Sequence, residues 1–332
     1  MSSRDVSARL RQAVWHGSIP LEIRLDKGDC RTYDDSDPYL VQFPRLSYLG
    51  LLVPKLQDFF ASSLIYPDAS RHHVWLSYEA VPLKWHYPLG LLHDLYSGAE
   101  PAYPSDDDVE EKHGSGEDEE QKQFPWKLTV HFSDYPAEQL VPADDEGKFL
   151  HDMYMNQVKE VNSSLAQYHR TGPWPNLLQA DYLRTGTGKT VMFLSKEDST
   201  QLWDSVKQHN FAMFNQINHK LLNPQGTTLR HIPIRLYLPH AASQAPQEDA
   251  TPGSLRVVQA LVTPSLSSRQ PQTIGTALNQ IIPSLFPSRR SPLLAQAVLH
   301  GAVLPLSASV EDCIRAAAYL DGWLHIAIVM MA

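Results

Sequence analysis

Apolar and polar residues alternate at Ile19, Leu21, Ile23 and Leu25, the period of a strand with one buried face. Ahead of it, Val6, Leu10 and Val14 recur at helical spacing and predict a short amphipathic helix over residues 3–14. Asp26-Lys27-Gly28-Asp29 carries turn chemistry, and a second strand is expected at 39–43. Helical periodicity runs over 46–60, interrupted by Pro54, and 74–78 reads as another strand. Pro88 suits a first helical turn and precedes Leu89, Leu92 and Leu95. Residues 126–132, opening with Trp126, alternate again.

The C-terminal third repeats this order. Ile232-Pro233-Ile234-Arg235-Leu236 echoes Ile19-Pro20-Leu21-Glu22-Ile23. Strands are expected at 255–262, 297–304 and 323–330, with helices at 274–282, ended by Pro283, and at 310–319. The last strand opens with Trp323, as the earlier one did with Trp126. Two blocks of strand, strand, helix, strand, short helix, strand predict an α+β fold built from two copies of one small unit in the β-grasp order of ubiquitin. Between them, Leu150, Tyr154, Val158, Val161 and Leu165 mark one face of a helix over 147–167. A second helix over 199–222, capped by Asp198 or Ser199, turns Leu202, Val206, Met213, Phe214, Ile217 and Leu221 inward. The expected organisation is an N-terminal helix at 1–15, a ubiquitin-like domain at 16–138, a helix-rich domain at 145–224 and a second ubiquitin-like domain at 229–332.

Composition changes this picture little. With 332 residues, 42% hydrophobic and 20% charged, the chain can hold several cores. The net charge of −9 comes mostly from the run at 105–123, which repels itself and reads as a solvated disordered loop. Without that run the chain is nearly neutral, so charge argues for no nucleic-acid partner. The 2 cysteines, Cys30 and Cys313, form no disulfide framework and fit a reducing compartment. The start, Met1-Ser2-Ser3-Arg4-Asp5, has no apolar signal core, and the longest apolar run, 323–332, is strand-sized. A cytoplasmic protein is expected, with the Asn162-Ser163-Ser164 glycosylation pattern a chance match.

The loudest motif is Arg184-Thr185-Gly186-Thr187-Gly188-Lys189-Thr190, which ends like a phosphate-binding loop. Leu183 occupies the place of the first glycine. No clean apolar strand precedes it, and no later strand ends in a magnesium-holding Asp. It reads as a flexible loop. Histidine is plentiful at 15 residues, yet His72-His73 and His86 have no partner at metal-ligand spacing, so neither metal nor cofactor is expected. Cys30 after a turn and Cys313 on a core helix give no support for a catalytic thiol, and no catalytic residue is assigned. Lys159 lies opposite Leu150 on its helix, on the solvent face; Lys148 lies near the same face, and spacing does not choose between them.

The segment Pro82-Leu83-Lys84-Trp85-His86-Tyr87-Pro88-Leu89-Gly90-Leu91-Leu92-His93-Asp94-Leu95 is highly specific. With Val14-Trp15-His16-Gly17-Ser18-Ile19-Pro20 and Pro44-Arg45-Leu46-Ser47-Tyr48-Leu49, it resembles the Atg5 family of autophagy proteins. The resemblance continues through 126–132, Gln201-Leu202-Trp203, 230–237, His300-Gly301 and Leu324-His325-Ile326-Ala327-Ile328, with insertions near 100–123, in the 170s–180s and near 240–253. It implies two ubiquitin-like domains flanking a helix-rich domain, and covalent attachment of the ubiquitin-like protein Atg12 to one lysine. Val158-Lys159-Glu160 matches that lysine's position. It further implies conjugation by Atg7 and Atg10, and a helix of Atg16 held in a groove. Trp85, Leu89, Leu92 and Leu95 are candidates for lining that groove, with ordinary core as the alternative. The assembled conjugate would promote transfer of Atg8 from Atg3 to phosphatidylethanolamine, peripherally at the preautophagosomal structure membrane. The chain would then be an acceptor and scaffold rather than an enzyme, and its end, Val329-Met330-Met331-Ala332, lacks the glycine tail a modifier needs. An unconjugated ubiquitin-like adaptor and a nucleotide-binding protein remain the competing readings.

Overall fold

The computed structural model describes residues 3–32, 36–67, 73–97, 125–141, 148–160, 194–221, 228–239, 255–267 and 270–331. The acidic run, the Gly-Thr-Gly-Lys-Thr stretch and the expected helix beyond residue 160 lie outside them.

After helix α1 (Ser3–His16), strand β1 (Ser18–Leu25) buries Ile19, Leu21, Ile23 and Leu25 in the expected alternation. It lies between β2 (Tyr39–Pro44), antiparallel with Ile19 opposite Phe43, and β5 (Trp126–His131), parallel with Leu21 opposite Trp126. Strand β3 (Trp75–Tyr78) joins the far side of β5, and the two-residue β4 (Val81–Pro82) closes the order β2-β1-β5-β3-β4. The periodic stretch at 46–60 forms a 3₁₀ turn at Leu49–Leu51 and then α2 (Val53–Phe60), with Pro54 in its first turn, where a missing N–H costs nothing. Helix α3 (Leu89–Tyr96) starts just after Pro88.

The middle region supplies α4 (Lys148–Glu160), α5 (Lys196–Lys207) and α6 (Phe211–Leu221). The single helix expected over 199–222 is therefore two. His209 adopts φ 51°, which ends α5, and Asn210 starts α6 by accepting the Met213 N–H through its side chain at 3.2 Å. The cap of α5 is Ser195, whose hydroxyl accepts the Asp198 N–H at 3.0 Å, rather than Asp198 or Ser199. Asp198 instead pairs with Lys220 at 2.9 Å and ties α5 to α6.

The second unit repeats the first. It comprises β6 (Ile232–Pro239), β7 (Leu255–Val262), a small hairpin of β8 (Ser265–Ser267) and β9 (Gln270–Pro271), α7 (Ile274–Ile281), β10 (Ala295–Leu299), β11 (Ala302–Val303), α8 (Val310–Ala317) and β12 (Leu324–Met330). Its sheet order, β11-β10-β12-β6-β7, matches the first strand for strand, with β6 and β12 parallel at the centre. The expected strand over 297–304 is a hairpin. His300 and Gly301, at φ 54° and 81°, turn the chain between β10 and β11, as Glu79 and Ala80 at φ 47° and 64° do between β3 and β4.

Five successive residues of β12, 324–328, are buried, which demands cover on both faces. Helix α8 contacts β12 from within the second unit, and α3 contacts it from the first. One continuous apolar core therefore runs through both sheets and the middle helices.

Candidate functional site

Helix α4 is anchored by Leu150, Tyr154, Met155 and Val158, all buried. Met155 widens the inner face beyond the residues that the spacing singled out. The Tyr154 hydroxyl donates to the Leu320 carbonyl at 3.2 Å, and its ring lies against Trp203 and Tyr48, so one side chain joins the middle region to both units. Lys159 falls in the last turn of α4, one residue after Val158; its side chain lies outside the described residues. Lys148 opens the same helix and is exposed.

The groove candidates sit inside the protein. Leu89 and Leu92 have no exposed surface, Leu95 is half-buried, and Trp85 is buried with its indole N–H on the Val141 carbonyl at 2.9 Å. The apolar surface that is open lies elsewhere. On α1, Val6 and Leu10, from the apolar face of the expected amphipathic helix, are 52% and 46% exposed. That helix is held from its other end. Trp15 stacks on His209 at 4.7 Å and meets Phe211 and Phe214, while Arg11 donates to the Arg315 carbonyl on α8.

Three of the segments that carried the resemblance converge on one place. The Arg45 guanidinium pairs with Asp94 of α3, and the second Asp94 oxygen accepts the Gly301 N–H at 2.8 Å. A Cβ on Gly90 would stand 3.0 Å from the Arg45 carbonyl, and one on Gly301 would stand 3.0 Å from the guanidinium, so both positions suit a residue without a side chain. Burial pushes the Asp94 carboxyl up, but a hydrogen bond from His93 and the Arg45 charge outweigh it and leave it below its ordinary value. Beside it, burial pushes His300 down to about 4, its Nε2 donating to the Ala317 carbonyl at 2.9 Å.

The second unit holds another buried chain of polar groups. Tyr237 donates to His325 Nδ1 at 2.8 Å, and His325 Nε2 donates to Asp321 at 2.7 Å. Burial raises the Asp321 carboxyl, and its contacts with His325 and Arg235 bring it below the usual range. Arg235 itself lies 4.0 Å over the Trp323 ring. Spacing gave no sign of either network.

The other sites weighed in the sequence have structural places. His86 packs between Trp85 and Tyr87, and burial pushes it down to about 3. Burial, with help from Asp312, pushes the Cys313 thiol up to about 11, so it is protonated at neutral pH. Among the described residues no helix is long and apolar enough to cross a membrane.

Comparison with known proteins agrees with this architecture part by part. The UblA domain of autophagy protein ATG5 matches residues 14–132, its alpha-helical bundle region 176–224 and its UblB domain 231–328. The chain is 63% identical over 331 residues to autophagy protein 5 of Phaeosphaeria nodorum and 45% identical over 347 residues to that of Aspergillus oryzae, each match covering 100% of both chains. The crystal structure of Kluyveromyces marxianus Atg5 superposes with a TM-score of 0.68 at 18% identity, over 96% of this chain and 99% of that one, which speaks to the fold. Two ubiquitin-like units clamped on a helical region, the matching domain descriptions and full-length relatives together place this chain in the Atg5 family of autophagy proteins.

Proposed function

We propose that this chain is the acceptor and scaffold of an autophagy conjugation system, joined covalently to the ubiquitin-like protein Atg12 through Lys159. The observation that carries the reading is the setting of α4. Its inner face is locked to both units through Tyr154, so its last turn is held on a rigid element. The deprotonated Lys159 ε-amine attacks the thioester carbonyl on a conjugating enzyme of the Atg10 kind, loaded through Atg7. The enzyme's cysteine leaves as thiolate, and an isopeptide bond forms. The chain supplies the amine and is not itself an enzyme.

Atg16 binds as a helix laid on this protein. The exposed Val6 and Leu10 of α1 are better placed to meet it than Leu89 and Leu92, which have no surface to offer. The assembled conjugate then promotes Atg8 transfer from Atg3 to phosphatidylethanolamine, working from the cytoplasm at the preautophagosomal structure membrane by peripheral contact. An unconjugated adaptor is the competing reading.

Replacing Lys159 by Arg keeps the charge and removes the nucleophile. Immunoblots of the native host should show a heavier species with the wild-type chain and none with Lys159→Arg. A heavy band that survives moves the role to another lysine, Lys148 first; no heavy band in wild type favours the adaptor.

A further inference from the structure

At the end of the first sheet, three side chains that can ligate a metal meet. Asp26 and Asp29 belong to the turn after β1, and His131 ends β5. One ligand atom from each lies within 4.8 Å of the other two. No motif announces the trio, because two residues sit in a turn and the third comes from a strand about a hundred positions later.

Each of the three is held by a second bond that leaves one ligating atom spare. One Asp26 oxygen accepts the Gly28 N–H at 2.9 Å, and the other lies 3.6 Å from His131 Nδ1. One Asp29 oxygen accepts the Phe132 N–H at 2.6 Å, and the residue is 7% exposed. His131 Nε2 bonds the Ser77 hydroxyl at 2.8 Å, and its ring stacks on Trp75 at 3.9 Å, which fixes the imidazole with Nδ1 turned to the carboxylates. An outer hydrogen bond of this kind is how ligating histidines are oriented. Asp29 also lines a surface cavity of about 530 Å³, with His73, Asp134 and Tyr135 on its wall, which gives an ion a way in and room for water as further ligands.

We propose that Asp26, Asp29 and His131 form a binding site for one divalent transition-metal ion of the zinc class. Mixed carboxylate and imidazole donors favour zinc over the hard, all-oxygen ions calcium and magnesium. A tetrahedral zinc spaces its ligand atoms about 3.4 Å apart. The Asp26–His131 edge, at 3.6 Å, is close to that length, and the three ligand atoms all lie within 4.8 Å of one another. The ion would staple the turn after β1 to the end of β5 and to β3 behind it, steadying the rim of the first unit.

The test is Zn2+ titration of the purified, metal-stripped full chain against a chromophoric chelator, with Co2+ visible absorption as a report of coordination. Asp26→Asn and Asp29→Asn are the variants, and circular dichroism checks their folding. Asn at 29 can still accept the Phe132 N–H; if that variant fails to fold, the more exposed Asp26→Asn decides. One Zn2+ per chain, held at least tenfold more weakly in each folded variant, is the expected result. No uptake by wild type below about 100 µM, or uptake that the variants leave unchanged, overturns the site.

Discussion

Arg45 shows how one side chain comes to hold two domains. Its guanidinium is nearly buried, and its partner Asp94 reaches past it to the Gly301 backbone of the other unit. In such a place the net energy of the pair matters less than the damage done when one member is lost. Asp94→Ala leaves a buried positive charge uncompensated and a backbone N–H without its acceptor. A loss of about 3–5 kcal/mol in urea unfolding is expected. Asp94→Asn retains an acceptor for Gly301 and should cost clearly less. Equal losses for the two variants would mean that the missing charge, common to both, decides the junction and that the bond to Gly301 adds little. None of this was legible in spacing, since Arg45 and Asp94 are 49 positions apart and Asp94 and Gly301 are 207 apart. The specific signal lay in the motif segments themselves, whose convergence becomes visible only in three dimensions.

Among elements, legibility followed burial. Strand β1 was readable because one face is buried and the alternation is strict, and β5 for the same reason. The β10–β11 hairpin was read as one strand because β11 has only two residues and the turn depends on His300 taking a left-handed conformation, which Asn or Gly would have advertised more clearly. The α5–α6 break was missed for a different reason. Its apolar residues keep helical spacing straight through, and the stop is imposed from outside: His209 stacks on Trp15, and its Nε2 donates to the Trp15 carbonyl at 2.9 Å. The break is thus a docking point for α1. On this account the Asn210 side chain starts α6 and nothing more. Asn210→Ala should cost about 1 kcal/mol by thermal or urea unfolding and leave the α1 contact in place, whereas Asn210→Asp should be almost neutral. Of the candidate site, Lys159 was read from the resemblance and its helix from periodicity, while the role of Tyr154 in fixing that helix needed the structure.

The whole molecule is two copies of one unit with polar residues buried where the copies and the middle helices meet, and that arrangement makes stability depend on pH. Groups of two kinds act in the same direction. His300 and His86 are held near 4 and 3 instead of 6.5 because burial excludes the charged form. The unfolded chain therefore takes up protons that the folded chain refuses as pH falls below 6.5. Linkage puts the cost at about 2 kcal/mol for each histidine by pH 5. Asp94 and Asp321 are depressed, so what they contribute is full above the ordinary carboxylate value and is lost only at lower pH, as each is protonated in the folded state. The expected profile is a fall of several kcal/mol between pH 7.5 and 5, driven by histidine, which continues until the folded histidines protonate near 4 and 3 and is joined there by the carboxylates. Urea unfolding across that range measures it. His300→Asn separates the contributions, because Asn tolerates the φ of 54° and does not titrate. That variant should lose about 2 kcal/mol less than wild type between pH 7.5 and 5. A variant with the wild-type slope would mean that His300 is solvated in the folded protein and that the junction between the two units is open to water.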